Sequence, residues 1–359
     1  MLSPVRKMGL DIGFFTDSYF PEVDGVTYTL ETWKERLEER GHEVHVVFPE
    51  SPDYSPGDDE KAVRSFPNPF YEGYRIPKPV LPGIDLDIVH CHSPGPIGIS
   101  GLVHSKRKDI SSVYTHHTPI EEYFEQSIRL KSVAALTKKL YVPLENLFIS
   151  RFDARTASTE PHRREGCFRK VPVGVDTDFF RPQSVELSDL FGREFERPGA
   201  GYSGRLSMEK NPEVLIRFAQ KFEGTLVMVG EGPMREDLES DAPENVFFSD
   251  FLDREDLPAF YSALDLFVTA STGDTLGLST LEAKACKTPV VAPDVNPFHR
   301  TLKPGSVLFR KGSPESTLEA VNQTLKREAS DPRDEVLEYS VEKSVDSLER
   351  IYREVFEAD

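Results

Sequence analysis

Leu264-Asp265-Leu266-Phe267-Val268-Thr269-Ala270 runs into Ser271-Thr272-Gly273-Asp274-Thr275-Leu276-Gly277-Leu278-Ser279-Thr280-Leu281-Glu282-Ala283-Lys284-Ala285, and Thr288-Pro289-Val290-Val291-Ala292 follows. The order is an apolar strand, a glycine-containing loop, a helix beginning near Thr280 and a second apolar strand, as in a βαβ unit of a parallel sheet. Asp274 and Glu282 stand eight positions apart, with Gly277 between them. A loop of this kind turns backbone N–H groups toward a ligand, backs them with a helix N-terminus and offers a carboxylate at each end for hydroxyls. A sugar nucleotide suits it. Ser279-Thr280-Leu281-Glu282 also fits a capping box, in which Glu282 merely closes its own helix, and Asp274 fits a turn after Gly273. A capping box requires neither the upstream carboxylate nor Gly277, so the binding reading is favoured.

Working outward, the same alternation fills the chain. Strands are expected at Leu10–Phe15, Val44–Phe48, Ile88–His90, Val113–Thr115 and Asp153–Ala157, with a helix over Thr27–Arg40 that Gly41 ends as a C-cap. Strands are expected again at Gly201–Ser203, Thr225–Val229, Val246–Ser249, Leu264–Ala270 and Pro289–Ala292. Proline, a change in charge and a polar stretch place a domain boundary near 181–198. The fold class is therefore α/β, with two doubly wound Rossmann-like domains facing across a cleft: residues 1–180 and residues 181–340. Val341–Phe356 reads as a helix with apolar positions at Val345, Leu348, Ile351, Val355 and Phe356, and the segment 341–359 is expected to pack back on the first domain.

Composition narrows the function. A length of 359 residues favours two domains. The net charge of −18 argues against nucleic acid as the main partner, because phosphates would be repelled. The charge is uneven: −5 over residues 1–180 and −13 over 181–359, with a local +6 over 127–170. Within that island, Ser127–Phe152 mixes Arg129, Lys131, Lys138, Lys139 and Arg151 with Leu130, Val133, Leu136, Leu140, Leu144 and Phe148. It suits an anionic membrane surface, or a solvated helix face. Cys91, Cys167 and Cys286 are odd in number and widely spaced, which suggests neither a disulfide framework nor a zinc site and points to a reducing cytoplasm. The short apolar run near the N-terminus is broken by Asp11, so no signal peptide is read there, and no segment has the roughly 18 apolar residues of a membrane span. The location expected is cytoplasmic, peripheral to the membrane if the island binds it.

Three further loops carry chemistry. Thr16–Val26 joins the first strand to the first helix, and Gly25 at the helix start admits a phosphate or sugar close to its N–H. Without a G-x-G-x-x-G, a nicotinamide dinucleotide loses its main support. Gly204-Arg205-Leu206-Ser207-Met208-Glu209-Lys210-Asn211-Pro212 follows a strand directly, so Arg205 and Lys210 can both turn toward a ligand. Two cations there would stabilise a departing diphosphate. Thr115-His116-His117-Thr118-Pro119 puts adjacent histidines at a strand end. Neighbours on a strand point to opposite faces and nothing else stands at ligand spacing, so no metal is expected, and one of the pair is read as a partner for a substrate hydroxyl.

Together these segments resemble the retaining, nucleotide-sugar-dependent glycosyltransferases of family 4, whose fold is GT-B. Asp274–Glu282 resembles that family's E-x7-E motif with Asp in the first place. Gly204-Arg205-Leu206 with Glu209-Lys210-Asn211 is similar to its diphosphate loop, Val229-Gly230-Glu231-Gly232-Pro233 to its V-G-x-G-P stretch, and Asp24-Gly25-Val26 to its N-G-V. His117 matches the histidine of its T-x-H-T stretch. Phe15–Pro21, Arg64–Phe70, His90-Cys91-His92-Ser93 and Thr115–Tyr123 resemble the branch that glucosylates diacylglycerol, and related α-mannosyltransferases share much of the pattern. Lys287 stands where the family usually has glycine.

The resemblance implies a UDP- or GDP-sugar donor and a lipid or glycan acceptor. It assigns His117, Arg205, Lys210 and Asp274 to catalysis, and Gly25, Leu276, Gly277, Leu278, Ser279 and Glu282 to the donor. It implies no cofactor and no metal. A nucleotide-sugar epimerase or isomerase, and a non-catalytic sugar-nucleotide binder, remain compatible with the same residues.

Overall fold

A computed structural model describes the chain except residues 1–8, 23–24, 69–74, 79–80, 82, 118–130, 159–167, 275, 303–305, 328–330 and 359, and except the side chains of 131–135. Asp24, Cys167, Arg129, Leu130 and Thr118–Tyr123 thus lie outside the described residues, as do the side chains of Lys131 and Val133. The chain divides into two compact units, residues 1–174 with 341–359, and residues 175–340.

The first unit carries β1 (Asp11–Phe15), β2 (Glu43–Pro49), β3 (Glu60–Val63), β4 (Ser65–Pro67), β5 (Arg75–Pro77), β6 (Ile88–Cys91), β7 (Ser111–His116), β8 (Ala154–Ala157) and β9 (Arg169–Lys170). Its main sheet runs β3-β2-β1-β6-β7-β8-β9, and β4 and β5 form a separate antiparallel pair. All pairings in the main sheet are parallel. Strands buried on both faces explain the unbroken apolar runs of the sequence. Phe14, Val46 and Ile88 face one core, while their neighbours Phe15, Val47 and Val89 face the other. The first core is completed by helix Gly25–Glu39, through Leu30, Trp33 and Leu37, and by helix Val341–Phe356, through Val341, Val345, Leu348, Ile351, Tyr352 and Val355. Each such side chain, fully buried, contributes about 1.5–3 kcal/mol, which holds the last helix of the chain against the first unit.

The second unit carries β10 (Gly199–Ser203), β11 (Thr225–Val229), β12 (Val246–Ser249), β13 (Leu266–Val268), β14 (Val290–Pro293) and β15 (Val307–Phe309), in the order β12-β11-β10-β13-β14-β15. Every pairing is parallel. This is the doubly wound order, and both units are Rossmann-like as the sequence predicts. The order reverses between β10 and β13, so the loops leaving those two strands flank the switch point where ligands of such sheets bind. In the first unit the corresponding neighbours are β1 and β6.

Candidate functional site

The loop leaving β10 is built on glycines whose backbones touch. Gly204, Gly230 and Gly232 have φ of +152°, +134° and +157°, which L side chains rarely adopt. A Cβ on Gly230 would sit 2.2 Å from the Gly204 carbonyl oxygen, and one on Gly232 2.4 Å from that of Leu206. The amide of Gly204 donates to Val229 O (3.1 Å) and that of Leu206 to Glu231 O (2.7 Å). Beneath the loop, the buried Tyr202 hydroxyl donates to Arg205 O at 3.0 Å. These bonds fix the backbone at Arg205, whose side chain is exposed.

The loop leaving β13 is tied to the same segment. Thr272 N donates to Glu209 O at 2.9 Å. The Asn211 side-chain amide donates to Ala270 O (3.2 Å), Thr272 Oγ1 (3.0 Å) and Glu209 O (3.2 Å). Asn211 itself is left-handed, with φ 49°, a conformation its short polar side chain tolerates. Lys210 Nζ reaches Asp274 Oδ1 at 2.5 Å. Burial alone would lower the Lys210 ammonium, but the Asp274 carboxylate, helped by Glu209, outweighs it and holds the group above its ordinary value. The pair is charged, only about a quarter exposed on either side, and positioned by backbone from both loops. The sequence places Asn211 in the segment that resembles the diphosphate loop but gives it no role of its own; its place in the N-P pair before a helix was the available signal.

Helix Leu278–Ala285 starts two residues earlier than expected, because Gly277 takes φ +77° and acts as the N-cap. Ser279 is therefore inside the first turn and cannot cap, so the capping-box alternative for Glu282 falls. The first-turn amides of Leu278 and Ser279 have no intrahelical acceptor, by the geometry of any helix start. Leu276 and Gly277 are buried at that start, the latter with no room for a Cβ against the Phe298 ring, 2.4 Å away. Glu282, one turn on, accepts from the buried Tyr261 hydroxyl at 2.9 Å. Burial pushes the Glu282 carboxyl up to about 6, against the opposing effects of the Tyr261 bond and the Arg254 charge. Tyr261 is a partner that sequence reasoning missed, since twenty-one residues separate it from Glu282.

Lys287, where the family resemblance leads one to expect glycine, has φ +67°, a conformation that costs a residue with a Cβ roughly 1–2 kcal/mol. Its ammonium pairs with Asp331 at 2.5 Å, a surface contact that offsets part of that cost.

Gly25 and His117 belong to the first unit. Gly25 opens helix Gly25–Glu39 and is exposed. His117 directly follows β7 and is buried, with its Nε2 3.0 Å from His92 Nδ1. The structure thus joins Lys210, Asp274 and the helix N-terminus at Leu276–Ser279, with Glu282 on the same helix and Arg205 on the loop that carries Lys210.

Of the basic island, helix Lys131–Ile149 is described. Leu136, Leu140, Leu144 and Leu147 are exposed by 54–66% along it. Phe148, expected with them, instead packs inward against Tyr114 and Phe152, and Leu147 takes its place on the exposed stripe. Among the described residues no helix is long and apolar enough to cross a membrane.

The sequence model of the family described as "Glycosyltransferase Family 4" matches residues 23–179, and that described as "Glycosyl transferases group 1" matches residues 192–343. The chain is 28% identical to an alpha-monoglucosyldiacylglycerol synthase of Streptococcus pneumoniae, over 81% of this chain and 72% of that protein. It is 29% identical to a GDP-mannose-dependent alpha-mannosyltransferase of Mycolicibacterium smegmatis, over 79% of each. A sucrose-phosphate synthase from Thermosynechococcus elongatus has the same fold, with a TM-score of 0.75 at 19% identity, covering 97% of this chain and 99% of that one.

Proposed function

We propose that this chain, which belongs to glycosyltransferase family 4 and has its GT-B fold, transfers a hexose from a UDP- or GDP-sugar to a membrane lipid of the diacylglycerol type, with retention at the anomeric carbon. The observation that carries the reading is the Lys210–Asp274 pair at the switch point of the second sheet, beside a helix N-terminus and on the loop of Arg205. Glu282 accepts from the ribose hydroxyls. Asp274 and the amides of Leu276–Ser279 hold the transferred sugar. Arg205 and Lys210 neutralise the diphosphate as its bond to the anomeric carbon breaks; charge-assisted bonds of this kind are worth about 1.5–3 kcal/mol each. The two cations give the leaving group the electrostatic help a divalent ion would supply, so the reaction proceeds without metal. His117 contacts the sugar, and Gly25 lets the first loop approach the phosphates. The acceptor oxygen attacks from the leaving-group face, and its proton passes to the departing phosphate oxygen. Both curated relatives described above support the reading, one as a synthase of a glucosylated diacylglycerol and the other as a GDP-mannose enzyme.

The test is a panel of UDP- and GDP-hexoses read by nucleotide release, with and without diacylglycerol vesicles. Release that rises with the lipid is expected. An isomerised sugar formed without acceptor, or donor binding with neither transfer nor slow hydrolysis, would replace the proposal with an epimerase or a binding protein.

Donor affinity should depend on pH through Glu282. Accepting ribose hydroxyls favours the ionised carboxylate, so binding weakens as pH falls through about 6. Between pH 7 and pH 5 the KM for donor should rise up to about tenfold, since one unit below its pKa the group is about nine-tenths protonated. Glu282→Gln should flatten this dependence; a profile unchanged by the substitution removes Glu282 from the ribose.

We assign the exposed leucine stripe to an anionic bilayer, where Lys138 and Lys139 would meet lipid headgroups. Flotation with liposomes should increase with anionic lipid content, and Leu140→Glu with Leu144→Glu should abolish it. Flotation indifferent to both would leave the helix as a solvated surface.

A further inference from the structure

His92 and His117 leave the carboxyl ends of the paired strands β6 and β7, and Nδ1 of His92 meets Nε2 of His117 at 3.0 Å. The other ring nitrogen of His92, Nε2, is buried and has no hydrogen-bond partner among the described residues. Around it the packing is close. The His90 ring lies 4.0 Å from that of His92, Phe14 meets His92 edge-on at 4.8 Å, and Trp33 lies 6.0–6.1 Å from His92 and His117. His90 is itself locked, with Nδ1 2.6 Å from the Tyr352 hydroxyl and Nε2 2.6 Å from Thr115 Oγ1.

One proton must lie between His92 and His117, and the orphaned nitrogen decides whose it is. Were His117 the donor, neutral His92 would carry its own hydrogen on Nε2, as a buried N–H with no acceptor. Orphaned buried N–H groups are rarer in native proteins than under-used acceptors. With His92 donating from Nδ1, its orphan is only a lone pair. Neutral His117 then carries its hydrogen on Nδ1. Burial holds both His90 and His92 well below the ordinary histidine range, so neither charges near neutral pH.

We propose that His92 is a positioning residue of the transfer reaction: its Nδ1–H holds the His117 ring by Nε2 and fixes the tautomer His117 presents to the transferred sugar. The catalytic consequence rests on the role given to His117 above; the tautomer does not.

Two measurements separate these. Long-range 1H–15N spectra of the histidine rings in the wild-type protein should show His92 as the Nδ1–H tautomer, with Nε2 bare. An Nε2–H signal for His92 overturns the proposal, and this holds even if no donor is ever turned over, the outcome that would sink the transferase reading instead. In the active enzyme, His92→Leu should lower kcat by about tenfold, the worth of one well-placed hydrogen bond, with donor KM little changed. His92→Asn, whose amide N–H lies near the place of Nδ1, should recover most of that loss. In a His117→Ala background His92→Leu should have no further effect. Equal loss in the Leu and Asn variants, or losses that multiply with His117→Ala, would make His92 a packing residue. If the Leu variant does not fold, the Asn variant and the wild-type spectra still decide.

Discussion

Arg205→Ala is expected to lower kcat by about 10²–10³ with folding intact, the usual cost of removing one donor aimed at charge that develops in a transition state. Folding should survive because the loop backbone has supports of its own. Its backbone is held by Tyr202, by the Val229 and Glu231 carbonyls and by the contact of Gly204 with Gly230. The loss should fall on kcat more than on donor KM, because the guanidinium gains most as the phosphate oxygen takes up negative charge. Single-turnover nucleotide release, with donor affinity by calorimetry, measures the two separately. Turnover near wild type would remove Arg205 from the mechanism and leave the diphosphate to Lys210.

Lys210→Ala should be as severe, about 10²–10³ in kcat, and should also weaken the fold, which Arg205→Ala should not. The ammonium is paired at 2.5 Å with Asp274 and both are mostly shielded, so its removal leaves a carboxylate without its cation beside the departing diphosphate. Asp274→Asn in the Lys210→Ala background should therefore restore part of the lost stability and none of the turnover. Urea unfolding of the single and double variants, read beside single-turnover kinetics, checks both halves. A Lys210→Ala protein with full activity would break the proposed link between the pair and leaving-group departure.

Much of the fold was legible because strands buried on both faces write themselves as apolar runs. Thr225–Val229, buried at every position, has the bounds the sequence predicts, the partly buried edge strand Val246–Ser249 has them too, and helix Val341–Phe356 has the spacing of a one-faced helix. The two edge strands of the first unit's main sheet escaped for the converse reason: Glu60–Val63 opens on two charged residues and Arg169–Lys170 is wholly charged, so no apolar run marks them. The start of helix Leu278–Ala285 was read near Thr280, two residues late, because spacing alone does not show that Gly277 takes the positive φ that lets the helix begin sooner.

For the candidate site, local sequence determined the kinds of group present: the glycines that let backbones touch, two cations on one loop, and carboxylates on either side of a helix start. Those follow from short-range spacing, which one strand–loop–helix segment expresses alone. Tertiary structure decided which of them meet. Lys210 finds Asp274 sixty-four residues on, Tyr261 reaches Glu282, and His92 meets His117. Each pair is made by parallel strands or packed helices that bring distant chain together, and periodicity within a segment carries no record of which neighbour the sheet will choose.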